Sequence, residues 1–279
     1  MAVHQLRNPV RNTKVSTASV SRGRGTVVDL LCTISNSAVP GHLISDIDMS
    51  WVSSERELLR KSGRRVTITA FIMKAIALAQ RNNPESRTEV LPWGRRVTYD
   101  DIVGGFTVER EVMNQVSVFF AEITDPDSKS VTDIATEIND YSKSALDELP
   151  SFKKQTLFSG FPTFTRRFLL EVATRLPMAR LAFQKSTFGL TSLGKYGIQT
   201  IMSPCICTST FTVGAQEDRA IVFDGVISIR PVVTLCLSFD QRVMDPILAS
   251  SFMHDVKDLL EGGMRRHFPV PVPVITSDI

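Results

Sequence analysis

Four histidines and four cysteines are the side chains of this 279-residue sequence best suited to proton transfer, nucleophilic attack or metal ligation. Their spacing limits what each can do. His4, His42, His254 and His267 are scattered along the chain, and each reads as structural or solvated rather than catalytic. His42 is read as preceding the first strand. Cys205 and Cys207 sit two apart, which on a strand puts both side chains on one face, yet no His or Cys partner lies close by. A closed zinc site takes four such ligands, so these two, with Cys32 and Cys236, read as reduced core thiols and no metal is expected. No Walker glycine loop, dinucleotide fingerprint, Gly-x-Ser-x-Gly elbow or His-Glu-x-x-His pair occurs. Phosphate-loop, nicotinamide, serine-hydrolase and zinc-hydrolase chemistry thereby lose most of their support. The informative stretch is residues 235–262, where Asp240, Gln241, Arg242 and Asp245 cluster between a β-rich run and a helical pattern.

The elements that must position this stretch are legible in the periodicity. Residues 43–52 alternate, with Ile47, Met49 and Trp51 on one side and Asp46, Asp48 and Ser50 on the other, which predicts a half-buried strand. A short helix over 53–61 should follow. Thr67 or Thr69 can cap a second helix carrying Phe71, Ile72, Ala75, Ile76, Leu78 and Ala79 at helical spacing and ending before Pro84. Residues 102–109 and 115–123 read as a hairpin, and Ser130 with Asp133 opens a helix that should end near Leu146. Four short β-rich runs are expected at 207–214, 220–223, 226–229 and 233–239, with Asp224-Gly225 as the hairpin turn. In the last helix Asp245 caps, Pro246 takes the first position, Leu248, Phe252, Val256 and Leu259 form the buried stripe, and Gly262 ends it.

Composition bounds the class. With 43% hydrophobic and 22% charged residues the chain is globular, neither disordered nor fibrous. The 32 basic and 29 acidic residues are too balanced for a nucleic-acid protein recognised by bulk charge. No run approaches the roughly 18 to 20 apolar residues of a membrane span, and the expectation is a soluble, cytoplasmic protein. Before the first acid, Asp29, come Arg7, Arg11, Lys14, Arg22 and Arg24 among Ser, Thr and Val. Residues 1–25 read as a flexible basic arm, with an organelle transit peptide as the other reading of that composition. Residues 26–268 are the main domain and 269–279, alternating Pro and Val, an extended tail. Within the domain, residues 150–186 stand apart, mixing six phenylalanines with Arg166, Arg167, Arg175, Arg180 and Lys185 against a single acid, Glu171. Three readings stand open for this variable segment: a surface for membranes or polyanions, a lid over a ligand channel, or two amphipathic helices packed on the body with snorkelling arginines.

Residues 235–246 read Leu-Cys-Leu-Ser-Phe-Asp-Gln-Arg-Val-Met-Asp-Pro, followed by a helix to Leu-Leu-Glu-Gly. This resembles the end of the acyltransferase core of 2-oxo acid dehydrogenase complexes, within the chloramphenicol acetyltransferase superfamily, where the motif is Asp-His-Arg-Val-x-Asp-Gly at a strand end. Residues 187–194, Thr-Phe-Gly-Leu-Thr-Ser-Leu-Gly, resemble the family's Thr-Phe-Thr-Ile-Ser-Asn-Leu-Gly, and 66–79 resemble its Leu-Thr-Leu-Thr-Ala-Phe helix. Residues 41–49 and 128–138 match in kind, so the resemblance covers roughly 26–265. It implies an α+β, chloramphenicol acetyltransferase-like fold: one domain with a mixed β-sheet flanked by helices. It also implies a homotrimer with active sites between subunits, a coenzyme A thioester as co-substrate, and direct transfer to an acceptor. No residue is assigned to hold coenzyme A.

In the family the motif histidine is the base that deprotonates the acceptor, the Asp four residues later supports the loop, and a Ser or Thr of the neighbouring subunit hydrogen-bonds the oxyanion. Carried over, the supporting carboxylate is Asp245 and the oxyanion hydroxyl Thr191, while the base position holds Gln241, and Pro246 replaces the motif glycine. An uncharged amide cannot take a proton near neutral pH as an imidazole can. Three readings follow. The first is a working acyltransferase in which Gln241 orients an already acidic acceptor or donates to the oxyanion. The others are a pocket repurposed for a non-transfer reaction and an inactive homologue serving as trimeric scaffold or ligand-binding partner. Simpler roles also stand: Asp245 as helix cap, Thr191 as strand-end hydroxyl, Gln241 as an amide satisfied by backbone. The chain looks like a stand-alone member, for which a small hydroxyl, thiol or carrier-protein-bound acceptor is preferred to lipoamide, with an acyl carrier thioester as the alternative donor to acyl-coenzyme A.

Overall fold

A computed structural model describes residues 22–35, 38–91, 94–112, 115–144, 150–175 and 186–268. The extended-tail reading and most of the basic arm fall outside these residues. The centre of the molecule is a six-stranded mixed sheet. Its strands in chain order are β1 (Pro40–Asp48), β4 (Val103–Val112), β5 (Gln115–Thr124), β6 (Phe188–Ser192), β7 (Ser209–Phe223) and β8 (Val226–Asp240). In space they run β1-β8-β7-β6-β4-β5, with β6 parallel to both of its neighbours and the other pairs antiparallel. Two short strands, β2 (Thr88–Val90) and β3 (Arg96–Thr98), pair separately and were not anticipated. The α+β architecture, a mixed sheet flanked by helices, is as the resemblance implied.

Period-2 alternation gives the sheet two unlike faces. Leu237 of β8 lies level with Phe211 of β7, Leu235 and Phe239 flank it on the same face, and Leu190 and Phe188 of β6 join them in a dry layer. Against this layer pack α3 (Ile68–Asn82), whose Phe71, Ile72, Met73 and Ile76 are fully buried, and α7 (Pro246–Glu261), whose Phe252 meets Phe211 edge-on at 5.6 Å. Thr67 caps α3 as expected, its side chain accepting from the Ala70 N–H. Ser130 likewise caps α4 (Val131–Lys143), which stops three residues short of Leu146. On the opposite face Thr234, Cys236, Ser238 and Asp240 alternate with the apolar set and are equally buried, beneath the chain running from Ile198 to Cys205.

Several boundaries differ from the sequence reading for physical reasons. β1 begins at Pro40 and ends at Asp48, because Asp48 turns back to accept from the Ser50 N–H and hydroxyl. Met49 then starts α2 (Ser50–Lys61), which takes Trp51 into a helix. The four expected β-runs are two 15-residue strands, since Glu217 to Arg219 and Arg230 stay in register although their polarity hides the strand. The turn between them does fall at Asp224-Gly225, with φ of 49° and 77°. β7 starts at Ser209, so Cys205 and Cys207 lie before the strand rather than on it. Leu248 is 38% exposed and leaves the expected stripe of α7.

The variable segment forms α5 (Pro150–Ser159) and α6 (Thr163–Arg175). Phe152 is fully buried against Phe119 of β5, while Asp29 of α1 (Arg22–Ser35) receives both Arg166 and Arg167. α1 itself begins at Arg22, inside the stretch assigned to the arm.

The end of β8 is fixed by a buried carboxylate. Asp240 accepts from Arg242 Nε at 3.0 Å and Nη2 at 2.6 Å, and from the N–H groups of Arg242 and Val39. Its carbonyl takes the N–H groups of Val243 and Met244. Replacing Arg242 by Ala leaves a buried charge short of its partner, and is expected to cost about 3 kcal/mol, read from urea unfolding. On the same face, a Cβ added to Gly214 would stand 1.8 Å from the Gln199 carbonyl oxygen. Gly214→Ala should therefore lift residues 198–205 and cost about 1–3 kcal/mol, with faster proteolysis within that stretch.

Candidate active site

Gln241 is the first residue beyond β8, and β1 holds it from the side. Its backbone N–H donates to Val39 O at 2.8 Å and its side-chain Nε2 donates to Pro40 O at 3.0 Å, while the side chain stays largely exposed. One amide donor is thus engaged by backbone, as the simplest reading of Gln241 required, although the residue is not buried.

Asp245 follows the turn and caps α7. Its Oδ1 accepts from the N–H groups of Ile247 at 2.9 Å and Leu248 at 2.8 Å, and Pro246 occupies the first helical turn. The capping expectation therefore holds, and through the cap the carboxylate anchors the segment that leaves Gln241.

Thr191 is half-buried near the end of β6, with its Oγ1 3.5 Å from Thr107 Oγ1 of β4. It lies level with Thr212 of β7 and Cys236 of β8. Gln241 is five residues beyond Cys236 and two strands over. At ~3.3 Å per residue and ~4.8 Å per strand this separates the two by about 20 Å. Gln241 and Asp245 stand at the two ends of the turn from β8 to α7, Thr191 lies elsewhere on the sheet, and within one chain the three do not surround a common point.

Enclosed space points the same way. A cleft of about 370 Å³ is lined by Arg81, Arg87, Asp100, Asp101, Asp125 and Asp127, and a second, of about 160 Å³, lies between α3 and α7. Neither touches the three residues. Among the described residues no group of three or more His, Cys, Asp or Glu is placed to hold a metal ion, and no helix is long and apolar enough to cross a membrane. None of the four cysteines is in a disulfide. Burial, reinforced by the nearby Asp240 carboxylate, pushes the Cys205 thiol up to about 12, and burial raises Cys236 as well. Neither is a thiolate nucleophile at neutral pH.

Two contacts were not read from the sequence. The Asp240–Arg242 pair is one; Asp-x-Arg at a strand end was its only signal. The other joins His42 to Ser238: β1 starts at Pro40, so His42 lies within the strand rather than before it, and its Nδ1 is 2.9 Å from Ser238 Oγ. These residues are 196 positions apart, and such pairing leaves no trace in neighbouring residues.

The curated relatives include the dihydrolipoyllysine-residue succinyltransferase component of the 2-oxoglutarate dehydrogenase complex of Rickettsia bellii. It is 25% identical over 259 residues, covering 89% of this chain and 56% of that protein. The chain spans a little over half the length of the first of these relatives. Among solved structures, the cubic core of a pyruvate dehydrogenase multienzyme complex aligns with a TM-score of 0.71 at 17% identity, over 96% of this chain and 100% of that one. The Azotobacter vinelandii dihydrolipoamide acetyltransferase, studied for the roles of a serine, a histidine and an asparagine in its catalytic mechanism, aligns with the same score at 18% identity, again over 96% and 100%. These likenesses establish the fold. The sequence itself matches the family model for the 2-oxoacid dehydrogenases acyltransferase (catalytic domain) over residues 12–155 and 170–266, a match that passes over the end of α5 and the first half of α6. The chain therefore belongs to the 2-oxoacid dehydrogenase acyltransferase catalytic-domain family.

Proposed function

We propose that this protein transfers an acyl group between coenzyme A and a thiol acceptor of the dihydrolipoyl kind, in a channel completed between copies of the chain in a homotrimer. The observation that carries the reading is the separation of Gln241 from Thr191 along one sheet, which calls for the hydroxyl of a second copy to complete the site. Relatives named for dihydrolipoyllysine support the thiol, in place of the small hydroxyl or thiol acceptor preferred from sequence alone. The Azotobacter protein's catalytic serine, histidine and asparagine have Thr191, Gln241 and Asp245 as their proposed counterparts here.

In this scheme Thr191 donates to the oxyanion that forms as the acceptor sulfur attacks the thioester carbonyl. Asp245 holds the loop through its cap, and Gln241 lines the acceptor side as a hydrogen-bond donor. Coenzyme A supplies the thioester and leaves as its thiol; no covalent acyl-enzyme is required. A second reading is favoured by the Gln241 bond to Pro40 O: a family member that keeps the scaffold and the ligand but has lost transfer.

The test pairs calorimetry with turnover. The purified chain should sediment as a trimer and bind coenzyme A at micromolar concentration, and should form S-acyl dihydrolipoamide from one of acetyl-, succinyl- or isobutyryl-coenzyme A. Thr191→Val is expected to lower kcat about 10²- to 10³-fold with binding retained. Coenzyme A binding without transfer from any donor would leave the scaffold reading. Asp245→Ala should lose about 1 kcal/mol of stability and Asp245→Asn recover it, measured by urea unfolding.

A further inference from the structure

A thiol acceptor at neutral pH is mostly protonated, with an ordinary pKa of about 8.5, and Gln241 cannot accept its proton. One imidazole stands beside the motif. Pro40, whose carbonyl receives the Gln241 amide, faces Asp240 across β1 and β8, and His42 is two residues along the same strand, level with Ser238. At ~3.3 Å per residue the ring therefore springs from about 7 Å beyond that carbonyl. Alternation puts it on the polar face with Ser238, Cys236 and Thr191, away from the helices.

The ring is oriented. Ser238 is fully buried and its Oγ lies 2.9 Å from His42 Nδ1, while His42 itself is solvent-exposed. Ser238 Oγ can accept from His42 Nδ1–H, and in that tautomer the ring carries its lone pair on Nε2.

Resting on the acyl-transfer reading, we infer that His42 is the general base of this protein, supplied from β1 in place of the motif position, with Ser238 as its positioning residue. His42 Nε2 takes the acceptor S–H proton as that sulfur's electron pair forms a bond to the thioester carbonyl carbon. The tetrahedral adduct then breaks its bond to the coenzyme A sulfur, and the imidazolium returns its proton to the departing thiolate. Proton and charge balance without a cofactor.

The experiment compares the full chain with His42→Gln, His42→Ala and Ser238→Ala in the coenzyme A–dihydrolipoamide assay. His42→Gln should lower kcat about 10²- to 10⁴-fold while calorimetric coenzyme A binding and the urea midpoint stay at the wild-type values. Imidazole added to His42→Ala should restore part of the rate in proportion to its concentration. Ser238→Ala should lower kcat with KM unchanged, a split that mere loss of packing would not give. Undiminished kcat in His42→Gln, beside an active wild type, would overturn the assignment of His42 alone. A wild-type trimer that binds coenzyme A and transfers nothing would end the transfer reading itself, and the base with it.

Discussion

From Val232 to Asp240 β8 is buried on both faces, and the two faces have opposite chemistry; the placing of Gln241 depends on that. Leu235, Leu237 and Phe239 are drawn into the helix-covered layer by the hydrophobic effect, which leaves Thr234, Cys236, Ser238 and Asp240 on the other side with no choice of orientation. A one-residue slip would exchange the two sets and bury the polar series in the apolar layer. Register is therefore strongly specified, and with it the point at which the strand ends. Asp240 closes that end by binding Arg242 and the backbone of β1 at once, so that Gln241 leaves the sheet in a fixed direction.

The same register keeps Thr191 and Gln241 apart within a single chain. Strand geometry sets Thr191 and Gln241 at different levels of a rigid sheet, and no side-chain rotation closes a gap of that size. On the proposed reading each chain offers two half-sites: an acceptor side with Gln241, His42 and the cap of α7, and a hydroxyl side with Thr191. A closed ring of copies is the economical way to bring unlike halves together, because one heterologous contact repeated by rotation forms every site.

Much of this was legible in the sequence, and the misses have common causes. Asp245, Pro246 and Gly262 marked the ends of α7 because caps are local chemistry, and Thr67 and Ser130 did so for α3 and α4. Asp224-Gly225 marked its turn because positive φ selects those residues. The long strands were broken in the reading because Glu217, Asp218, Arg219 and Arg230 are polar where β7 and β8 extend beyond the core and both sides meet solvent. α1 was missed because its basic start resembled an arm, and its anchor, Asp29, finds its partners 137 and 138 residues later. The role of Gln241 was framed by motif alone; the imidazole beside it belongs to a strand whose partnership is set by tertiary pairing.

That pairing also governs the order in which the molecule can be made. β1 has one neighbour, β8, and the contact between Pro40 and Gln241 spans 201 positions. During synthesis β1 emerges early and waits with its edge unpaired while nearly all of the chain is added, at about 5–20 residues per second. The nascent chain must pass that interval without pairing β1 to the wrong edge. Its defence is written into the strand: Asp46 and Asp48 charge its outward side, and Pro40 removes a donor at its start. Charge and proline on β1 thus guard the unfinished chain against mispairing.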